Sequence, residues 1–382
     1  MKKFGLLILC ILSMLLSIAQ TQQVKKYVSV ELFTNTWCGL CAFYDPPAIE
    51  TYLANKADVH LISVHPNVPY PQCPFYNANP TDNLARRTYN AVSGTPRTFT
   101  NGTQLNTGSG MLTQNLIDRN IGQYSALRIA VSESGFSTTK TVTVNVKSFE
   151  TLTAGDWRLY VTAVVELVNF DAQNGLTEHH NVLWQFLTSE NGDPITPAAL
   201  HGTVSQTFQY DTNNLTHSSF DANQVYTIAF IQNNDTKEVI NSGSSKDIII
   251  DAAITAPTCG ETDGSIDLNI SGGSGNYGIF WAQGAFTETI NNLAEGTYSV
   301  VVTDNLGASV TNQFTISCCT ENLNLQGNQL NDEVYKASNT ITSTAIITAN
   351  IEYKAGQRIQ LNNGFTTKTP NNFGVKIEEG CD

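Results

Sequence analysis

From residue 123 onward the apolar side chains of this chain fall at every second position, and that alternation leaves few folds open. Leu127, Ile129 and Val131 are separated by polar residues, and Val142, Val144 and Val146 stand among Thr141, Thr143, Asn145 and Lys147. A period of two gives a strand one apolar face for a core and one polar face for water. Residues 159–167, 182–187 and 225–231 continue in the same style, with Asn-Gly and Gly-Asp turns between them. An antiparallel β-sandwich over residues 123–248 is expected. The Ser/Gly-rich residues 241–246 read as its boundary.

The preceding hundred residues keep a different rhythm. Residues 27–33 form a strand candidate, residues 39–56 a helix that Pro46 and Pro47 bend or restart, and residues 59–64 a second apolar strand. A proline- and asparagine-rich loop covers 66–80. Residues 81–90 are helical again, and 97–100 read as a strand closing at the Asn101-Gly102 turn. Strand, helix, strand, helix, strand predicts an α/β unit over residues 24–122. At 382 residues the chain is expected to hold three or four domains.

Chemistry enters at the first strand-to-helix junction, Trp37-Cys38-Gly39-Leu40-Cys41. Exchange needs a thiolate, and a cysteine at a helix N-terminus has its thiolate stabilised by unpaired N–H groups and the helix dipole. Cys38 is expected there, partly exposed, as nucleophile. Cys41, one turn deeper, would resolve the mixed disulfide. Trp37 would flank the pair and offer apolar surface to an extended polypeptide.

The N-terminus predicts an address. Lys2 and Lys3 precede an apolar run from Phe4 to Ile18 that ends in Ser17-Ile18-Ala19 before polar residues, the pattern of a signal peptide over 1–19. The alternative, an uncleaved anchor, would call for ~18 or more apolar residues. No second stretch is long enough to span a bilayer. The formal charge is −13, which becomes −15 without Lys2 and Lys3. So acidic a chain, with no basic cluster, is a poor partner for nucleic acid.

Of the eight cysteines, all but Cys10 lie beyond the signal, an odd number that leaves one thiol over. An exported chain favours disulfides over metal ligands. A soft-metal site from Cys38, Cys41, Cys73 and His65 would suit Cys-x-x-Cys chemistry, yet no second paired motif supports it. His179 and His180 are neighbours in a strand and point to opposite faces. No metal and no cofactor are assigned. Arg86 and Arg87 read as a solvated helix face, and Cys73 as the odd thiol or a third redox cysteine.

The strand–Trp37-Cys38-x-x-Cys41–helix arrangement, the proline within that helix and Gly94-Thr95-Pro96 before a strand together resemble the thioredoxin-like superfamily. That resemblance implies a cis proline at Pro96 lying against the cysteines, and Thr95 pairing with substrate backbone. Many members bury an acid six residues before the first cysteine, where this chain has Leu32, and Leu40 replaces the usual proline. Residues 33–41, Ser63-Val64-His65 and residues 86–96, with the sandwich that follows, are similar to the secreted outer-membrane-protein (Omp) family of the twenty-eight-kilodalton type, over about residues 25–248.

Two further units follow. Thr258-Cys259-Gly260-Glu261-Thr262-Asp263-Gly264, with Trp281, Tyr298 and Val302-Thr303-Asp304, resembles the SprB-type adhesin repeat, which implies an immunoglobulin-like sandwich over 252–318. Residues 319–382 resemble the three-coathanger stack domain through Tyr353-Lys354-Ala355-Gly356, Ile359-Gln360-Leu361, Gly364-Phe365 and Cys381. Their spacing predicts stacked short strands without a repeat of fixed period. Keeping each bridge within one unit favours Cys259–Cys318 and Cys319–Cys381 among three pairings.

The expectation is thus a multidomain chain, an α/β thioredoxin-like head followed by all-β modules, exported to the cell envelope. The envelope compartments this address allows are the periplasm, the outer membrane and the cell surface. Two functions stand side by side: thiol–disulfide exchange on an extracytoplasmic protein substrate or redox partner, and non-enzymatic surface binding with a structural Cys38–Cys41 disulfide. Fold alone does not choose between them.

Overall fold

The computed structural model describes residues 24–105, 111–135, 138–152, 154–305 and 307–318, and in the C-terminal part 322–326, 328–329, 333–337, 340–347, 351–355, 358–367 and 373–377. The signal expected over 1–19, and Cys319 and Cys381 with their expected bridge, lie outside them. The chain divides between residues 318 and 319 into two compact units.

The first unit opens with β1 (Val24–Lys25), β2 (Val28–Phe33), α1 (Gly39–Ala54), β3 (Val59–Val64), α2 (Pro74–Ala78), α3 (Pro80–Tyr89), β4 (Arg97–Thr100), β5 (Thr103–Gln104) and α4 (Gln114–Asp118). All of β2 and β3 is buried, and the two strands run parallel. Val28, Val30 and Leu32 face Ala48 and Tyr52 of α1 and Ile117 of α4. Phe33 shares the opposite face with Ile62, Val64 and Phe99. Pro46 and Pro47 do not restart the helix, and α1 runs through both. The proline-rich loop holds the short helix α2. Asn101 and Gly102 both have positive φ, 49° and 83°, as a two-residue hairpin turn requires. A Cβ on Gly102 would also lie 1.7 Å from the Lys237 carbonyl oxygen.

Next come β6 (Tyr124–Ser125), β7 (Leu127–Ser134), β8 (Thr139–Ser148), β9 (Trp157–Asn169), β10 (Glu178–Phe186), β11 (Asp193–Pro194), β12 (Thr203–Asp211), β13 (Val225–Asn233) and β14 (Val239–Ser244). Strands β12-β8-β7 form one sheet of the sandwich. Its inward residues Ile129, Val131, Val144 and Val146 pack against Leu159, Val161, Val182 and Trp184 of the other sheet.

That other sheet does not stop at the expected boundary between residues 122 and 123. Its order is β14-β13-β9-β10-β3-β2-β4-β5, with β10 parallel to β3 through Val182 and Ser63. The α/β part and the sandwich therefore share one sheet, which gives β3 a partner on each side.

A buried ion pair within the α/β part reaches across to the sandwich. Arg86 is fully buried, and its Nε and Nη2 donate to Glu31 Oε1 and Oε2 at 2.8 and 2.6 Å. Nη1 and Nη2 each lie 3.3 Å from Gln232 Oε1 on β13, and the guanidinium is 4.7 Å from the rings of Tyr89 and Tyr160. The expected solvated face is overturned. A charge reads as exposed only while its partner, 55 residues away, is unknown.

The stretch read as a boundary is also ordered: residues 239–244 are β14. Gly243 is there for close approach, since a Cβ would sit 2.2 Å from the Ile129 carbonyl oxygen. Asn241 is buried and donates to the carbonyls of Lys25 and Leu127. The next module begins earlier than residue 252, with β15 (Ile248–Thr255) paired along its length to β16 (Gly264–Gly272). Strands β17 (Gly278–Trp281), β18 (Thr289–Leu293), β19 (Gly296–Thr303) and β20 (Ser309–Ile316) complete two three-stranded sheets around the buried Trp281. A disulfide joins Cys259 to Cys318.

The C-terminal unit consists of parallel strands in register. Asn322 pairs with Thr340 and Thr340 with Arg358; Glu333 pairs with Ile351 and Ile351 with Phe373. Each rung contributes a strand to three three-stranded sheets. The first step is 18 residues on every face, and the second is 18, 20 and 22. The stacked strands agree with expectation. The 18-residue step of the first two rungs is not kept in the last, so the repeat has no fixed period. Tyr353 is buried, with its hydroxyl 3.0 Å from Ser343 Oγ. Tyr353→Phe is expected to cost about 1 kcal/mol, read as a lower midpoint of the C-terminal unit in urea.

Candidate functional site

The junction between β2 and α1 is built by its own polar side chains. Asn35, 1% exposed, donates from Nδ2 to the carbonyls of Pro66 and Tyr70, each at 3.0 Å. Its Oδ1 accepts the Trp37 N–H at 2.9 Å, and its carbonyl accepts the Cys38 N–H at 3.0 Å. Asn35 thereby turns the chain from strand to helix and sets Cys38 at the N-cap of α1. There Cys38 Sγ accepts the Cys41 N–H at 3.1 Å. Cys38 and Cys41 are joined as a disulfide, with Cα atoms 5.2 Å apart.

Exposure differs from expectation. Cys38 is 3% exposed and Cys41 fully buried, whereas Trp37, Leu40 and Phe43 are 39%, 62% and 73% exposed. The exposed residues next to the pair in the chain are thus apolar, and of these the sequence pointed only to Trp37. The Thr95–Pro96 peptide is cis, and the Thr95 carbonyl oxygen lies 3.5 Å from Cys38 Sγ. Cys38, Cys41 and Thr95 thus meet in space, with Trp37 and Pro96 as their chain neighbours.

Sequence reasoning missed Asp45. It follows Cys41 by four residues, a spacing that puts two side chains on one face of a helix. It is buried, accepts the Thr34 hydroxyl through Oδ2, and leaves Oδ1 without a partner. Burial pushes its carboxyl up to about 7. Leu32, where the resembling enzymes carry an acid, lines the same cavity of about 310 Å³ as Asp45, Thr34 and His65. The acid reaches this space from the helix instead of the strand. Its place one turn beyond Cys41 was the signal the sequence held.

The folded Asp45 keeps its proton up to about pH 7, whereas an aspartate in the unfolded chain loses it near 3.8, so the folded state binds the extra proton between these limits. Stability should fall as pH rises from about 4 to about 7. Asp45→Asn is expected to flatten that slope and gain roughly 2 kcal/mol at pH 8, checked by urea melts at pH 5 and 8.

The remaining candidates are distributed nearby. His65 is fully buried with neither ring nitrogen partnered, and burial, reinforced by His179, pushes it down to about 3, so it stays neutral. Cys73 is buried and free, and the Thr36 hydroxyl donates to its Sγ at 3.2 Å. His179 Nε2 is 3.2 Å from the Phe170 carbonyl oxygen, and His180 Nε2 is 3.8 Å from Glu178. Among the described residues, no three His, Cys, Asp or Glu side chains are grouped to hold a metal ion. No described helix is long and apolar enough to cross a membrane.

Residues 252–286 match the SprB repeat family. No curated protein matches the chain. Among solved structures, HBP35 of Porphyromonas gingivalis is similar at 18% identity and a TM-score of 0.49, over 77% of this chain and 99% of that one. A protein of Agrobacterium tumefaciens aligns at 15% identity and a TM-score of 0.36, over 57% and 92%. A domain of the outer membrane lipoprotein Omp28 from Porphyromonas gingivalis aligns at 21% identity and a TM-score of 0.24, over 31% and 86%.

Proposed function

We propose that this is a cell-envelope protein whose thioredoxin-like head, residues 24–122, exchanges disulfides with extracytoplasmic proteins. The β-sandwich, the SprB-type module and the stacked-strand unit follow that head in the chain. The observation that carries the reading is the N-cap geometry of Cys38, whose Sγ already receives the Cys41 N–H at 3.1 Å. The same contact and the helix dipole stabilise a Cys38 thiolate.

In one turnover a substrate thiolate attacks Cys38 Sγ, and a mixed disulfide forms as the Cys38–Cys41 bond breaks. Cys41 leaves with the electron pair and takes a proton from Asp45. The second substrate thiol gives its proton to solvent and its thiolate attacks the substrate sulfur of the mixed disulfide, expelling Cys38 as a thiolate, while Asp45 takes a proton back from solvent. Substrate dithiol becomes disulfide, and the protein disulfide becomes dithiol. The reverse sequence reduces a substrate. Trp37, Leu40 and Phe43 give an extended apolar segment a docking collar, and Thr95 and Pro96 flank its path.

The burial of both sulfurs favours a second reading, a locked disulfide in a surface-binding protein. Equilibration with glutathione separates the two. A Cys38–Cys41 midpoint well above about −300 mV supports exchange, and a midpoint at or below it supports the locked bridge and sinks the exchange reading.

A further inference from the structure

We propose that Asn174, on the β9–β10 turn of the sandwich, completes the redox site as a positioning residue for the Cys38–Cys41 couple. The inference rests on the exchange reading but is tested separately from it.

Asn174 is bound to the site through backbone and side chain together. Its N–H donates to the Thr36 carbonyl at 3.0 Å. Its Nδ2 donates to the carbonyls of Cys38 and Asn35, at 3.2 and 3.3 Å. The residue lies 136 positions from Cys38, so the contact exists only because β10 joins the sheet beside β3.

The turn does not need these donors for its own closure. It is closed by Phe170 N–H to the Thr177 carbonyl, Ala172 N–H to the Leu176 carbonyl and Gly175 N–H to the Ala172 carbonyl. Only Asn174 Oδ1 serves the turn, by accepting the Leu176 N–H at 3.2 Å. The donor half of the amide is spent on the two carbonyls that bracket Cys38.

Those carbonyls matter because of what else they accept. The Asn35 carbonyl takes the Cys38 N–H, and the Cys38 carbonyl takes the Ala42 N–H at 3.2 Å in the first turn of α1. Asn174 holds both ends of the segment that sets Cys38 at its N-cap φ and ψ of −82° and 108°. It also offsets the negative ends of two dipoles beside the sulfur that carries charge when reduced. Without Asn174 the N-cap loosens and the thiolate is less favoured. The thiol of Cys38 then ionises at higher pH, and the couple is harder to reduce.

The test uses the full chain without its signal, equilibrated at pH 7 with dithiothreitol buffers that reach potentials low enough for either functional reading. The Cys38–Cys41 state is read from the mass of the alkylated peptide carrying both residues. Iodoacetamide rates against pH then report the Cys38 ionisation. Asn174→Ala is expected to lower the reduction constant about tenfold, equivalent to about 30 mV for a two-electron couple, and to move the alkylation midpoint to higher pH. Asn174→Asp, which keeps the acceptor for Leu176 and places an oxygen against the two carbonyls, should move both further. Gln173→Ala, an exposed neighbour, should change neither beyond twofold. Folded Asn174→Ala and Asn174→Asp proteins that both stay within twofold of wild type in both measurements overturn the proposal. If Asn174→Ala does not fold, Asn174→Asp decides alone. A wild-type midpoint below about −300 mV counts against exchange, while the difference between wild type and variant still decides Asn174.

Discussion

Replacing Cys38 with serine is expected to lower the turnover of insulin disulfides by dithiothreitol about 100-fold or more, to the uncatalysed rate. Serine can fill the N-cap position, because its hydroxyl accepts the Cys41 N–H in place of the sulfur. The helix and the fold are therefore retained, and the loss is one of chemistry. Cys41→Ser should behave differently. It leaves the attacking sulfur but removes the group that releases the substrate, so a mixed disulfide accumulates and can be isolated by mass. Cys73→Ser is the control: that thiol is buried and bonded to the Thr36 hydroxyl, and its loss should leave turnover within about twofold. Equal rates for wild type and Cys38→Ser would mean that the N-cap geometry serves structure alone.

The second large effect concerns stability. Arg86→Ala is expected to destabilise the fold by about 3–5 kcal/mol, seen as a lower urea midpoint at unchanged slope. The cost comes mainly from what is left behind. Glu31, 4% exposed, would keep a carboxylate with neither of its guanidinium donors, and Gln232 Oε1 would lose the same partner. The rings of Tyr89 and Tyr160 would border a void. Combining Glu31→Met with Arg86→Met should recover much of the loss, since a packed apolar pair carries no stranded charge. A double variant no better than Arg86→Ala would place the cost in packing instead of charge.

These two sites also mark how far the sequence could be read. Alternation at Leu127–Ile129–Val131 and Val142–Val144–Val146 depends on neighbours two residues apart, and so do the strands around Val30 and Leu61. The Asn101-Gly102 turn is equally local. Each of these is settled within a few residues, and each stands in the structure.

What was hidden depends on partners far along the chain. Arg86 looked solvated because nothing near it in sequence names Glu31 or Gln232. Asp45 carries no sequence motif, and only the cavity it shares with Leu32 places it. Residues 241–246 read as a boundary because small residues serve flexibility and close packing alike. The contact of Gly243 with Ile129 distinguishes the two only in three dimensions. Asn174 carries no motif at all, and its role follows from one parallel strand pairing, Val182 with Ser63.

The rung spacing of the C-terminal unit has a consequence for how such a protein can change length. With strands in register at an 18-residue step, duplicating one rung would insert a new layer whose side chains meet copies of their present neighbours. The unit would grow by one strand spacing, about 4.8 Å, with no new interface to invent. In that sense it is a ruler whose divisions are written in the chain, and its reach can be reset by whole steps.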